Sequence, residues 1–69
     1  MTISLDKTIY SKDAIYKSLE VWNEYLSNPK ISESGSKVSI IVNNEAVSNN
    51  TINEFLNYVL DLTSSLELA

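Results

Sequence analysis

Any acid–base chemistry in this chain must come from nine carboxylates, four tyrosines, five lysines and the serine and threonine hydroxyls, because histidine and cysteine are both missing. Histidine is the side chain most used for proton transfer near neutral pH. Without thiolates or imidazoles, disulfides, iron–sulfur ligation and ordinary zinc sites are out of reach of this chain alone. The single glycine, Gly35, makes neither common phosphate-binding fingerprint. Glu20 and Glu24 stand four apart and could share a cation, but hard cations take more oxygen ligands than two carboxylates supply, so the pair reads as a solvated helix face. Asp6 belongs to the solvent side of an extended run and Asp13 to the first turn of a helix, where the dipole favours an anion. The chain is therefore expected not to be an enzyme on its own, and no cofactor or metal is expected.

The elements that would position these groups follow from periodicity. Between Thr2 and Ile9, Ile3, Leu5 and Ile9 alternate with Ser4, Asp6 and Thr8, the period of a strand with one buried face. Lys7 falls on the apolar side, where its stem can snorkel. Ser11 offers a capping oxygen for a helix whose apolar stripe, Ile15, Leu19, Trp22 and Leu26, runs until Asn28-Pro29 stops it. Trp22 lies mid-stripe and reads as a core anchor. Two extended runs, Lys30 to Glu33 and Lys37 to Val42, flank Ser34-Gly35-Ser36 and predict a hairpin. Asn43 to Asn50 reads as a loop with a turn around Glu45 to Val47. Thr51-Ile52-Asn53-Glu54 matches a capping box, and the helix it opens continues to about Leu66 with Ile52, Phe55, Leu56, Val59, Leu60, Thr63 and Leu66 on one face. The expected fold is α+β, in the order β-α-β-β-α, a three-stranded sheet with two helices packed on one face and spatial strand order 2-3-1. Residues 1–69 are expected to form one small domain.

Composition limits the partners. With 43% apolar and 20% charged residues the chain is too apolar to stay disordered, yet at 69 residues its core must be small. A net charge of −4, with no arginine, opposes binding to nucleic acid. No apolar run approaches a membrane span and the N-terminus lacks signal-peptide features, so no membrane contact and a cytoplasmic address are expected. Tyr16, read as projecting from the polar side of the first helix, and Tyr58, at the edge of the second helix's stripe, are candidates for contact with a partner protein.

The segment Leu5-Asp6-Lys7-Thr8-Ile9-Tyr10-Ser11-Lys12-Asp13-Ala14-Ile15-Tyr16-Lys17-Ser18-Leu19, above all Ile9 to Ile15, resembles the N-terminal signature of the HxsD-like family, small proteins of His-Xaa-Ser peptide-modification systems. Glu54-Phe55-Leu56-Asn57-Tyr58-Val59-Leu60-Asp61 is similar to that family's C-terminal helix. Thr63-Ser64-Ser65-Leu66-Glu67 departs from it, standing where basic residues would be expected. The resemblance implies an accessory role beside a radical S-adenosylmethionine maturase that modifies a ribosomally made precursor peptide. Maturase and precursor peptide are then the expected partners, with Tyr10, Asp13, Tyr16 and Tyr58 as contact candidates; a homo-oligomer is compatible with this reading. The chemistry would reside in the maturase, whose cluster needs thiolates this chain lacks. A second reading from the charge alone is a small acidic phage-type regulator or inhibitor that binds a basic protein surface; the interspersed lysines and the modest net charge weigh against it.

Overall fold

In the computed structural model, which describes residues 1–43 and 45–68, the chain runs β1 (Thr2–Asp6), α1 (Lys12–Trp22), β2 (Lys30–Ser34), β3 (Lys37–Ile41) and α2 (Asn49–Leu68). This is the α+β, β-α-β-β-α order that the periodicities predict. The strands lie in the order β1-β3-β2, and both outer strands pair antiparallel with β3, so β1 and β2 point the same way. β3 is central because its alternating Val38 and Ile40 are the most deeply buried strand residues. Opposite them stand Ile3 and Leu5 on β1 and Ile31 and Glu33 on β2, which places all six on one face. The other face is mostly serine, threonine and lysine and is left open to water. Ile15 and Leu19 of α1 and Ile52, Phe55 and Val59 of α2 close over the apolar face, and α1 packs along α2.

Local chemistry shifts several boundaries. β1 stops at Asp6 rather than Ile9, because the Asp6 carboxylate accepts hydrogen bonds from the Thr8 amide at 2.8 Å and the Thr8 hydroxyl at 2.7 Å, turning the chain. Ile9 is left exposed. Ser11 sits at the N-cap of α1 in an extended conformation, yet its side chain makes no capping bond; its amide instead donates to the buried Thr63 hydroxyl of α2 at 3.1 Å. The capping box at Thr51 is likewise displaced. Ser48 caps α2, accepting the Thr51 amide at 3.2 Å, so Thr51 is the third helical residue and Glu54 is free of a capping role. Burial explains the shift: with Ser48 as cap, Val47 and Ile52 take the two positions of a hydrophobic staple, and both join the core. The turn expected around Glu45 to Val47 is present, with the Ala46 and Val47 amides donating to the Asn43 carbonyl at 3.1 Å each; Asn44, within the expected loop, lies outside the described residues, as does Ala69 at the end of the chain.

Beyond Trp22, turns carry the chain to Leu26, where it reverses. The Asn28 amide reaches the Asn23 carbonyl at 3.0 Å and the Ser27 amide the Glu24 carbonyl at 3.2 Å, the paired bonds of a Schellman motif with Leu26 as its last helical-type residue. Ser27 holds φ 54° at the position glycine usually takes. Ser27→Gly is therefore expected to raise the unfolding free energy by roughly 0.5–1 kcal/mol, since relief of the left-handed strain exceeds the added unfolded-state freedom; urea denaturation would check it. Ser18, fully buried on α1, has a hydroxyl with no hydrogen-bond partner among the described residues. Ser18→Ala is expected to stabilise by about 1 kcal/mol by removing that desolvated group. An unchanged or lowered denaturation midpoint would refute this account.

Candidate functional site

Among the described residues neither outer strand has a neighbour on its far side, so each presents backbone donors and acceptors at the edge of the sheet. The phase of the ladder tells which ones. Met1 and Val42 exchange two bonds of 2.8 Å, and the Lys7 amide reaches the Ser36 carbonyl at 2.8 Å. Bonded pairs alternate along an antiparallel ladder, so Ile3 with Ile40 and Leu5 with Val38 are the bonded pairs of β1 and β3. The backbone groups of Lys37, Ser39 and Ile41 then turn to β2, where they meet Ser34, Ser32 and Lys30. Ile31 and Glu33 are left with their N–H and C=O groups aimed outward.

Their side chains lie on the helix-bearing face, beside an open cleft of about 410 Å³ between α1 and β2. Tyr16, Leu19, Glu20, Asn23, Pro29 and Ile31 line it. At one end of this strand Glu33 gathers three partners. The Tyr16 hydroxyl donates to Oε1, the Lys12 Nζ lies 3.5 Å from the same oxygen, and the Lys7 Nζ lies 3.6 Å from Oε2. The Lys12 ammonium is also 5.9 Å from the centre of the Tyr16 ring. Lys7 reaches Glu33 as a snorkelling side chain would, its stem along the apolar face and its charge at the rim. These are surface pairs, screened by solvent, and their value lies in geometry more than in stability.

The Tyr16 hydrogen bond is the main influence holding the Glu33 carboxyl below its usual range, opposed by desolvation and helped by Lys12 and Lys7. The same bond raises the Tyr16 phenol, with desolvation and the Glu33 charge adding to it. For Glu33 the linked stabilisation is present above its unfolded-state pKa and is lost as pH falls through the lowered folded value. For Tyr16 it is present below the unfolded-state pKa and disappears as pH rises through the raised folded value.

The four residues singled out from the sequence do not form one site. Tyr16 overhangs the β2 flank of α1 instead of projecting away from the core, because Glu33 draws it there. Tyr10 is half-buried against the core. Asp13 is exposed in the first turn of α1, and Tyr58 stands on α2 beside Trp22, their ring centres 6.0 Å apart. Trp22 is only half-buried, at the rim of the core rather than within it. Glu20 pairs with Lys17 at 3.9 Å, and among the described residues no three potential metal ligands cluster. Glu33 was legible in principle, since a period of two that turns Ile31 toward the helices turns Glu33 the same way. No described helix is long and apolar enough to cross a membrane. No family model, curated protein or solved structure matches the chain.

Tyr16→Phe removes the donor and is expected to move the Glu33 carboxyl midpoint up toward the usual glutamate range. Carboxyl carbon shifts followed by NMR across acidic pH would show this; an unmoved midpoint would rule out the hydrogen bond as the main cause.

Proposed function

We propose that this chain is a non-catalytic binding module that takes up an extended peptide as an added strand on β2, within a radical S-adenosylmethionine peptide-modification system. The observation that carries this reading is the outward pair of backbone groups at Ile31 and Glu33 beside the α1/β2 cleft. In antiparallel addition, the residues bonded to Ile31 and Glu33 would project their side chains on the same face as those two. One enters the cleft walled by Tyr16, Leu19 and Pro29 and is best apolar; the other meets the polar cluster at Glu33. At β1 the outward groups belong to Thr2, Ser4 and Asp6, whose side chains lie on the bare face, so an added strand there would bury little.

Edge strands are commonly guarded by lysine and by inward-pointing charge, and β2 carries Lys30 and Glu33. Such a guard excludes a uniformly apolar strand and admits one with a polar residue opposite Glu33, which converts protection into selectivity. The resemblance to the HxsD-like family supplies the identity of the ligand as a precursor peptide and of the neighbour as its maturase. Cluster chemistry then belongs to the maturase, and this chain contributes contacts.

The test is to mix labelled protein with a radical S-adenosylmethionine maturase and its precursor peptide, taken from the chain's own gene neighbourhood. Binding should protect the Ile31 and Glu33 amides from hydrogen exchange. Ile31→Pro should weaken peptide binding by about tenfold through one lost backbone bond and the intruding ring. It should leave the fold intact, since that amide donates nothing to β3 and edge positions accept proline. A peptide and a maturase that neither copurify with the chain nor perturb these amides would sink the proposal.

A further inference from the structure

A second cleft, sharing no lining residue with the one beside β2, opens where the end of α1 meets α2. Its walls are Val21, Trp22, Tyr25, Thr51, Glu54 and Tyr58, and its volume is about 410 Å³. Three of these six are aromatic. The Trp22 and Tyr25 rings are 5.5 Å apart and inclined by 57°, and the Trp22 and Tyr58 rings are 6.0 Å apart and inclined by 62°. Phe55 meets Trp22 edge-on at 6.0 Å and is fully buried, so the indole is braced from the core side. Tyr25 is 68% exposed and Val21 47% exposed, which leaves a contiguous apolar rim around the cleft.

The charge at this cleft is of one sign. Glu54, released from capping by the earlier start of α2, accepts a hydrogen bond only from the Asn50 side-chain Nδ2 at 3.5 Å and pairs with no cation among the described residues. All five lysines are placed elsewhere. Lys7 and Lys12 attend Glu33, Lys17 attends Glu20, and Lys30 and Lys37 sit on β2 and β3 with side chains on the open face of the sheet. Inclined aromatic faces attract cations through their quadrupoles, and a carboxylate at the rim adds a charge-assisted acceptor.

We infer that this cleft receives the guanidinium of an arginine presented by a partner polypeptide. A planar guanidinium can stack on the indole or phenol faces while donating to Glu54, a combination that a spherical ammonium does not match. The apolar rim at Val21 and Tyr25 favours an arginine that arrives on a polypeptide able to cover it over a free small cation. The chain contains no arginine of its own, so the occupant cannot be a second copy inserting that residue. This surface stands independently of strand addition at β2.

Trp22 is the only tryptophan, so its fluorescence reports the cleft directly. The intact chain is titrated with a capped Gly-Arg-Gly peptide, with the same peptide carrying uncharged citrulline in place of arginine, and with choline. A saturable change in the millimolar range with the arginine peptide is expected, about tenfold weaker with citrulline. Glu54→Gln and Tyr25→Ala, both at exposed positions, should each weaken the arginine response while the far-ultraviolet spectrum stays unchanged. Equal responses to arginine and citrulline, or no saturable response to arginine, would overturn the inference. Choline binding as tightly as the arginine peptide would overturn the assignment to a polypeptide arginine. The Ile31→Pro variant should retain the full response, which separates failure here from failure at β2.

Discussion

The burial of one face of a three-stranded sheet beneath two helices is the constraint from which the remaining architecture follows. A chain of 69 residues has enough apolar side chains to cover the face that carries Val38 and Ile40, and the opposite face is left to serine, threonine and lysine. β3 takes the centre because it supplies the alternation that both neighbours need. Among the described residues no further strand pairs with the outer two, so each keeps a free edge. Phe55 and Val59 lock the helical layer to this sheet, and truncating a buried aromatic of that kind typically costs about 3–5 kcal/mol. In a domain this small such a loss is a large part of the total stability.

With the core occupying one face, concave surfaces are left at the margins of the helical layer. The two clefts lie at such margins, one where α1 stands beside β2 and the other where the end of α1 meets α2. They differ in chemistry. The first combines unpaired backbone groups with a polar cluster around Glu33 and suits an extended chain; the second combines aromatic faces with one carboxylate and suits a planar cation. Two distinct surfaces on one small domain fit the proposed role of a protein that brings others together.

Local sequence signals located the helices better than they located the helix ends. Ser11 and Thr51 both have capping chemistry, yet Ser11 lends only its backbone to Thr63, and Thr51 yields the cap to Ser48. In each instance a longer-range requirement won: the join between the two helices in one, the burial of Val47 in the other. The end of the first helix behaves similarly. Asn28-Pro29 marks where it cannot continue, but the reversal itself is made by Ser27 and Asn28 in left-handed conformations, which asparagine adopts readily and serine does not announce.

Element order, the one-sided sheet and most of the core are written in the local pattern of residues, because periods of two and of 3.6 encode which face is buried without reference to any partner. Composition adds the lack of thiolates and imidazoles, and with it the kinds of chemistry this chain cannot perform unaided. Which charged and aromatic residues meet is settled by the packing of the elements against one another. Glu33 is 17 or more residues from Tyr16, Lys12 and Lys7, and the Trp22 cleft draws on two helices far apart in the chain. Such juxtapositions depend on strand order and on helix packing angle, which no local period specifies. The surfaces proposed for contact draw their residues from several elements and exist only in the folded state.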